Sequence, residues 1–296
     1  MEKLCKQFDA LQDYYIPKHL IGRDKEIESV RNNLIYIDQA PIHTSIGGKT
    51  GTGKTVVVRV ICRKLIDEMK KTDQDLGIQF IEVNCIRAKT QYNAICEIAN
   101  QLNNDGNWEP LGKKPWNYDV ALQFVTDKLD KMKAVVIFLD EIDRLKLTKD
   151  QGILYDIVRL RSMEKTNCNI SLIMATNNLK FHDKLEDRIT SSFNPWKIIF
   201  NPYNADQIRD ILEDRIKIAF HEEKIDSSVA PYIAAVSARE HGDARLAIAL
   251  LREAALFAQG KGDPILTQGH VDIARSKHEI NVLNDTIKTL PLQEKV

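Results

Sequence analysis

Residues 47–55 read Gly-Gly-Lys-Thr-Gly-Thr-Gly-Lys-Thr, and this run constrains the fold more than any other part of the chain. Gly48, Gly53, Lys54 and Thr55 spell G-x-x-x-x-G-K-[ST]. That pattern works when a strand delivers the chain into a glycine turn and a helix carries it away. The glycines let consecutive N–H groups converge on one concavity that holds phosphate oxygens, and the helix N-terminus aims its dipole at the same anion. Lys54 then offers a point charge to β- and γ-phosphates, and Thr55 offers a hydroxyl to Mg²⁺. Gly48, Thr50, Gly51, Thr52, Gly53, Lys54, Thr55 and Val56 are therefore the candidate phosphate contacts, for ATP or ADP with Mg²⁺. The stretch Ile42 to Ile46 entering the loop and the amphipathic segment leaving it supply the context the motif needs.

The remaining elements alternate. Val56 to Met69 has the β-branched content of a strand, but the loop before it demands a helix there. Ile78 to Val83, Ala134 to Leu139, Ile170 to Ala175 and Trp196 to Phe200 are strand candidates, and Thr90 to Leu102 and Val120 to Met132 are helix candidates. Asn103 to Asn117, rich in Asn, Gly, Pro and Trp, reads as a loop. The first 40 residues read as helical and polar, with a helix starting at Gly22-Arg23-Asp24. Strands alternating with helices give an α/β fold with a parallel sheet flanked by helices. Past Asn201-Pro202 only helical periods follow: Asn204 to Phe220, Ser228 to Glu240, Asp243 to Gln259 and Thr267 to Glu279. A nucleotide-binding base over residues 1–200 and an all-helical unit over 201–280 are expected.

Composition excludes some classes. Lys plus Arg and Asp plus Glu number 42 each, so no global basic field exists and nucleic-acid contacts must be local. The five cysteines show neither C-x-x-C nor metal spacing and read as reduced, isolated thiols. No apolar run reaches membrane-helix length, so a cytoplasmic protein without a membrane partner is expected.

Further site residues come from strand ends, where parallel sheets bind ligands. Asp140-Glu141 ends the run Val135 to Leu139; Asp140 would hold Mg²⁺ through water and Glu141 would polarise the attacking water. Asn177, after Ile170 to Thr176, could hydrogen-bond the γ-phosphate or that water without adding charge. Arg245, in Gly242-Asp243-Ala244-Arg245, could reach phosphate from the second unit. Arg188 could stabilise transition-state charge in a neighbouring subunit. Asp143 and Arg144 read as a surface ion pair.

Gly48–Thr55, Phe138-Leu139-Asp140-Glu141-Ile142-Asp143, Ala175-Thr176-Asn177-Asn178 and Gly242-Asp243-Ala244-Arg245 resemble, in order, Walker A, Walker B, sensor 1 and sensor 2 of the AAA+ ATPases. The finer spelling, with Asp-Arg-Ile-Thr-Ser-Ser-Phe, Phe200-Asn201-Pro202-Tyr203-Asn204-Ala205 and His241-Gly242-Asp243-Ala244-Arg245, resembles the archaeal replication initiators, akin to eukaryotic origin-recognition and cell-division-control proteins. The resemblance runs from about Tyr15 onward. It implies an AAA+ base with a helical lid and ATP between them. It implies that Ile21, Gly22 and Arg23 line the adenine side with Tyr203 and Ile211, that Arg245 is the lid sensor, and that Arg188 is the finger offered to an AAA+ neighbour or paralogue. It places a DNA-binding helical insert around Arg87 to Asn93, with Arg87, Lys89, Thr90 and Gln91 as phosphate contacts. It implies that 281–296 open a truncated winged-helix domain, Leu290 to Val296 resembling its first turn. The implied function is an ATP-dependent replication initiator, hydrolysing slowly as a switch, that binds double-stranded origin DNA and recruits the replicative helicase. The alternatives are a clamp-loader subunit, which the absence of Ser-Arg-Cys around Arg188 disfavours, and a scaffold holding nucleotide permanently.

Overall fold

A computed structural model describes residues 4–72, 77–103, 117–147 and 152–289. The chain divides into two compact units, Arg23–Asn201 and Met1–Gly22 with Pro202–Val296.

The first unit is a parallel sheet of five strands: β1 (Thr44–Gly48), β2 (Ile78–Asn84), β3 (Ala134–Asp140), β4 (Asn169–Thr176) and β5 (Trp196–Phe200), in the order β2-β3-β4-β1-β5. The central strands β1, β3 and β4 are buried along their whole length, as strands covered on both faces are; β3 does so with an unbroken apolar run, while β1 and β4 also bury Thr44, Ser45, Asn169, Ser171 and Thr176. Helices α1 (Asp24–Leu34), α2 (Lys54–Thr72), α3 (Cys85–Ala88), α4 (Gln91–Leu102), α5 (Tyr118–Leu129), α6 (Gly152–Arg159) and α7 (Asp187–Phe193) complete it. The segment Val56 to Met69 is helical, inside α2, despite its valines. Register aligns the strand ends: Asn84 pairs with Asp140, Leu139 with Met174, and Gly47 with Thr176. The phosphate loop, Asp140 and Asn177 thus leave neighbouring strands at the same edge of the sheet.

The second unit consists of α8 (Ala205–Ala219), α9 (Val229–Arg239), α10 (Ala244–Lys261) and α11 (Gln268–Thr289), and its core is rich in alanine. Asn204 and Gln207 form a reciprocal capping box at the start of α8, and Asp243 caps α10.

Three expectations are corrected. The first 22 residues belong to the helical unit, because Leu4, Cys5, Ala10 and Leu11 are buried in its core and Arg215 donates to the Ala10 carbonyl at 3.1 Å while stacking on Tyr15. Within residues 4–23 there is one 3₁₀ turn, Phe8–Leu11, rather than long helix. Pro17 biases its predecessor toward extended backbone, and Gly22 takes φ 69°. Finally, α11 continues past Glu279 to Thr289, since no Gly or Pro interrupts it before Pro291. Leu290 to Val296, and 104–116 of the expected loop, lie outside the described residues.

The five cysteines are unpaired and buried. Among the described residues no helix is long and apolar enough to cross a membrane.

Candidate nucleotide-binding site

The phosphate loop is shaped by steric necessity. A Cβ on Gly48 would lie 2.6 Å from the Phe200 carbonyl of β5, so only glycine lets the loop leave the sheet there. Gly51 and Gly53 hold φ 73° and 88°, the left-handed region that turns successive amides inward. The Thr52 hydroxyl, fully buried, donates to the Lys49 carbonyl at 2.8 Å and closes the turn, while Thr50 stays exposed. Lys54 and Thr55 open α2, and Val56 follows on its first turn.

Lys54 is 6% exposed, and its ammonium donates to the carbonyls of Gly48 at 2.7 Å and Lys49 at 2.8 Å and to Asn177 Oδ1 at 2.8 Å. Asn177 Nδ2 in turn donates to Glu141 Oε1 at 3.3 Å. Lysine, amide and glutamate form one chain across β1, β4 and β3. Glu141 sits at φ 55°, ψ 47°, left-handed backbone that a residue with a Cβ adopts at a cost of about 1–2 kcal/mol. Strain of that size at the residue expected to polarise water is the kind that persists at working sites.

Asp140 is 4% exposed, and its Oδ2 accepts from the Thr55 hydroxyl at 2.8 Å. Its Oδ1 is buried with no hydrogen-bond partner. Burial pushes this carboxyl above the usual carboxylate range, against the pull of the Thr55 hydroxyl; Glu141 and Glu82 push it further up and Arg59 draws it down. Arg59, one turn after Thr55, grips Glu82 on β2 with Nε 2.8 Å from both carboxylate oxygens. A lone buried carboxylate oxygen beside a hydroxyl suits a magnesium ion that keeps its waters and takes its remaining ligands from phosphate. Among the described residues no group of three or more His, Cys, Asp or Glu side chains is placed so that it could hold a metal ion by itself.

Asp143 is a residue that sequence reasoning misplaced. Its contact with Arg144 exists at 3.7 Å, but its other oxygen accepts from the Thr176 hydroxyl at 2.8 Å and from the Asn177 amide at 3.1 Å. It ties the turn after β3 to the end of β4 and so fixes where Asn177 stands. It lies in the 3₁₀ turn Ile142–Arg144, and nothing in the sequence pointed to its partners, which strand register brings to it. Arg23 was also read incompletely. Its side chain is 3% exposed and donates to the carbonyls of Thr52 at 3.0 Å and Asn201 at 2.7 Å, bracing the phosphate loop against the end of β5.

Arg188, second residue of α7, is exposed, pairs with Glu186 at 2.6 Å and lies 4.9 Å from the Tyr155 ring centre. The helical unit holds the rest. Ile21 and Gly22 lie in its N-terminal segment, where the Gly22 carbonyl accepts from Gln207 at 3.3 Å. Tyr203 is buried, Ile211 packs on the unit's core, and Arg245 is exposed at the start of α10. Arg87 and Lys89 are exposed around α3; Thr90 caps α4 through its hydroxyl. Gln91 is not available as a phosphate contact: it is buried and accepts from the Ile153 amide at 3.2 Å.

Residues 45–195 match the family of ATPases associated with various cellular activities (AAA), and 209–276 match the Cdc6 AAA+ ATPase-type lid domain. An ORC1-type DNA replication protein of Thermococcus kodakarensis is 37% identical over 99% of this chain and 71% of its own length. One from Pyrococcus furiosus is 36% identical over 99% of this chain and 70% of its own. The structure of the Aeropyrum pernix ORC1 protein in complex with DNA superimposes with a TM-score of 0.85 at 32% identity, over 99% of this chain and 75% of that one. Cdc6p from Pyrobaculum aerophilum shares the fold, with a TM-score of 0.80 at 24% identity, over 93% of this chain and 72% of that one.

Proposed function

The chain belongs to the ORC1-type DNA replication proteins, AAA ATPases with a Cdc6-type lid, and from that footing we propose that it is an ATP-controlled switch that recognises replication origins and helps load the replicative helicase. Family membership sets aside the clamp-loader alternative. The observation that carries the switch is the Lys54–Asn177–Glu141 chain, which links the group that reads a γ-phosphate to the group that would activate water.

In this reading the loop amides and Lys54 bind the phosphates, and Thr55 and Asp140 hold Mg²⁺, which when bound neutralises phosphate charge. Glu141 accepts a proton from the attacking water and Asn177 orients that water. Asp143 positions Asn177, and Arg23 keeps the loop seated. Ile21, Gly22, Tyr203 and Ile211 serve the adenine, and Arg245 senses the γ-phosphate from the lid. Arg188 acts on nucleotide bound to a neighbouring AAA+ subunit. Arg87, Lys89 and Thr90 meet DNA phosphates.

The test is origin-duplex binding and helicase recruitment measured with ATP, with ADP and without nucleotide. Both should follow the nucleotide state. Equal recruitment in all three conditions overturns the switch and favours a scaffold that holds nucleotide as a structural ligand.

A further inference from the structure

Residues 83–96 contain no acidic side chain, though charged residues make up 28% of the whole sequence. Within that stretch the chain leaves β2, makes α3 and enters α4, and side-chain caps fix its path. Asn84 accepts from the Arg87 amide at 3.1 Å, Thr90 accepts from the Asn93 amide at 3.2 Å, and Asn93 Nδ2 donates to the Ala88 carbonyl at 2.8 Å. Between the helices, Lys89 sits at φ 61°, ψ −35°, and the Thr90 amide donates back to the Ala88 carbonyl at 2.7 Å. That is a γ-turn of the strained hand, which persists only where surroundings over-determine it.

Part of what determines it comes from a distant segment. The Lys146 amide donates to the Lys89 carbonyl at 2.9 Å, and Thr90 and Lys146 form a parallel bridge. Lys146 lies in the segment that leaves the β3 carboxyl end through Glu141. Bridged backbones stand about 4.8 Å apart, and residues paired in a bridge project to the same side. Lys146 and Thr90 are both exposed, as are Arg87 and Lys89. Arg144 is not counted, because Asp143 holds it. The twelve-residue helix α4 begins at the same place with no acid in its first turn, so its dipole adds to the positive field.

We propose that Lys146 belongs to the duplex-DNA surface, as a third phosphate contact beside Arg87 and Lys89, so that this surface is built from two chain segments locked by the Lys89–Lys146 backbone bond. The proposal rests on the reading of Arg87 and Lys89 as DNA contacts and extends it to a residue 57 positions further along the chain than Lys89. The partner's chemistry is a polyanion with closely spaced phosphates. Lysine on a flexible stem suits point contacts of that kind, which carry register rather than sequence.

The experiment is fluorescence anisotropy of a fluorescein-labelled random-sequence duplex across a low-salt series. Each neutralised phosphate contributes about 0.9 to the steepness of log K against log salt. Lys146→Ala should lower that steepness by about 0.9, as Arg87→Ala and Lys89→Ala each should. The alanine keeps the backbone amide and therefore the bridge. Lys146→Arg should restore the wild-type slope. Lys131→Ala, an exposed lysine just before the amino end of β3, should leave it unchanged. ATP binding reports that each variant is folded. An unchanged slope for Lys146→Ala with lowered slopes for Arg87→Ala and Lys89→Ala overturns the proposal and leaves the underlying reading intact. Unchanged slopes for all three overturn that reading as well.

Discussion

The sheet's carboxyl edge and the helical unit treat backbone and polar groups in opposite ways. At the edge, Glu141 is held left-handed, Asp140 keeps a buried oxygen without a partner, and Lys54 packs its ammonium among carbonyls. In the helical unit, Asn204, Gln207 and Asp243 satisfy helix starts, Gly262 ends α10 at φ 79°, and Ala247, Ala254, Ala255 and Ala258 let helices approach closely. The helical unit has its own exceptions, the buried Ser237 hydroxyl without a partner and His241 at φ 133°, but at the edge the rule-breaking residues are those that the proposed chemistry uses. If so, changes at the edge should move activity far more than stability, and changes in the helical unit should do the reverse.

The largest expected effect is on Glu141→Gln, which keeps shape and removes the carboxylate charge. Nucleotide affinity should persist while hydrolysis falls by orders of magnitude. A phosphate-release assay showing the parental rate would place the water-activating carboxylate elsewhere and dissolve the contrast.

The next concerns pH. His43, just before β1, accepts from the Leu172 amide through Nδ1 at 3.1 Å and stacks on Phe193. Burial pulls its imidazole down to about 4, against about 6.5 in the unfolded chain. A depressed folded value means stability is fully present above 6.5 and lost as pH falls from 6.5 toward 4, with a ceiling of about 3 kcal/mol. Denaturant titrations over that window should show the loss in wild type and a flatter profile in His43→Gln. Parallel profiles would remove His43 as the cause.

Smaller effects separate the units directly. Ala254→Gly, in the middle of α10 and fully buried, should cost about 1 kcal/mol. Glu141→Gly should stabilise by less than about 1 kcal/mol, relief of left-handed strain being partly offset by glycine's freedom in the unfolded chain, while hydrolysis is lost. A destabilised Glu141→Gly would mean that the turn is not strained.

What was legible in the sequence follows the same division. Gly48, Gly53, Lys54 and Thr55 announced a strand, a loop and a helix because that geometry needs those residue types, and it overrode the strand-like valines of α2. Asp140 and Asn177 were legible as polar residues ending apolar runs. Asp143 was not, because its partners, Thr176 and Asn177, lie on another strand and depend on register. Nor was the association of residues 1–22 with the helical unit, since Leu4, Leu11 and Arg215 meet only in the folded chain. Gln91 was implied as a contact by the family resemblance, yet it accepts from the Ile153 amide at the start of α6 and is turned inward.

The central claim, that Lys54 with Thr55 and Asp140 forms a Mg²⁺–nucleotide site, is tested most directly by calorimetry of ATP with and without Mg²⁺ on wild type and Lys54→Ala. Wild type should bind ATP more tightly with Mg²⁺, and Lys54→Ala should lose binding of both ATP and ADP, because the loop amides alone do not offset the phosphate charge. Near-wild-type affinity in Lys54→Ala would contradict the account.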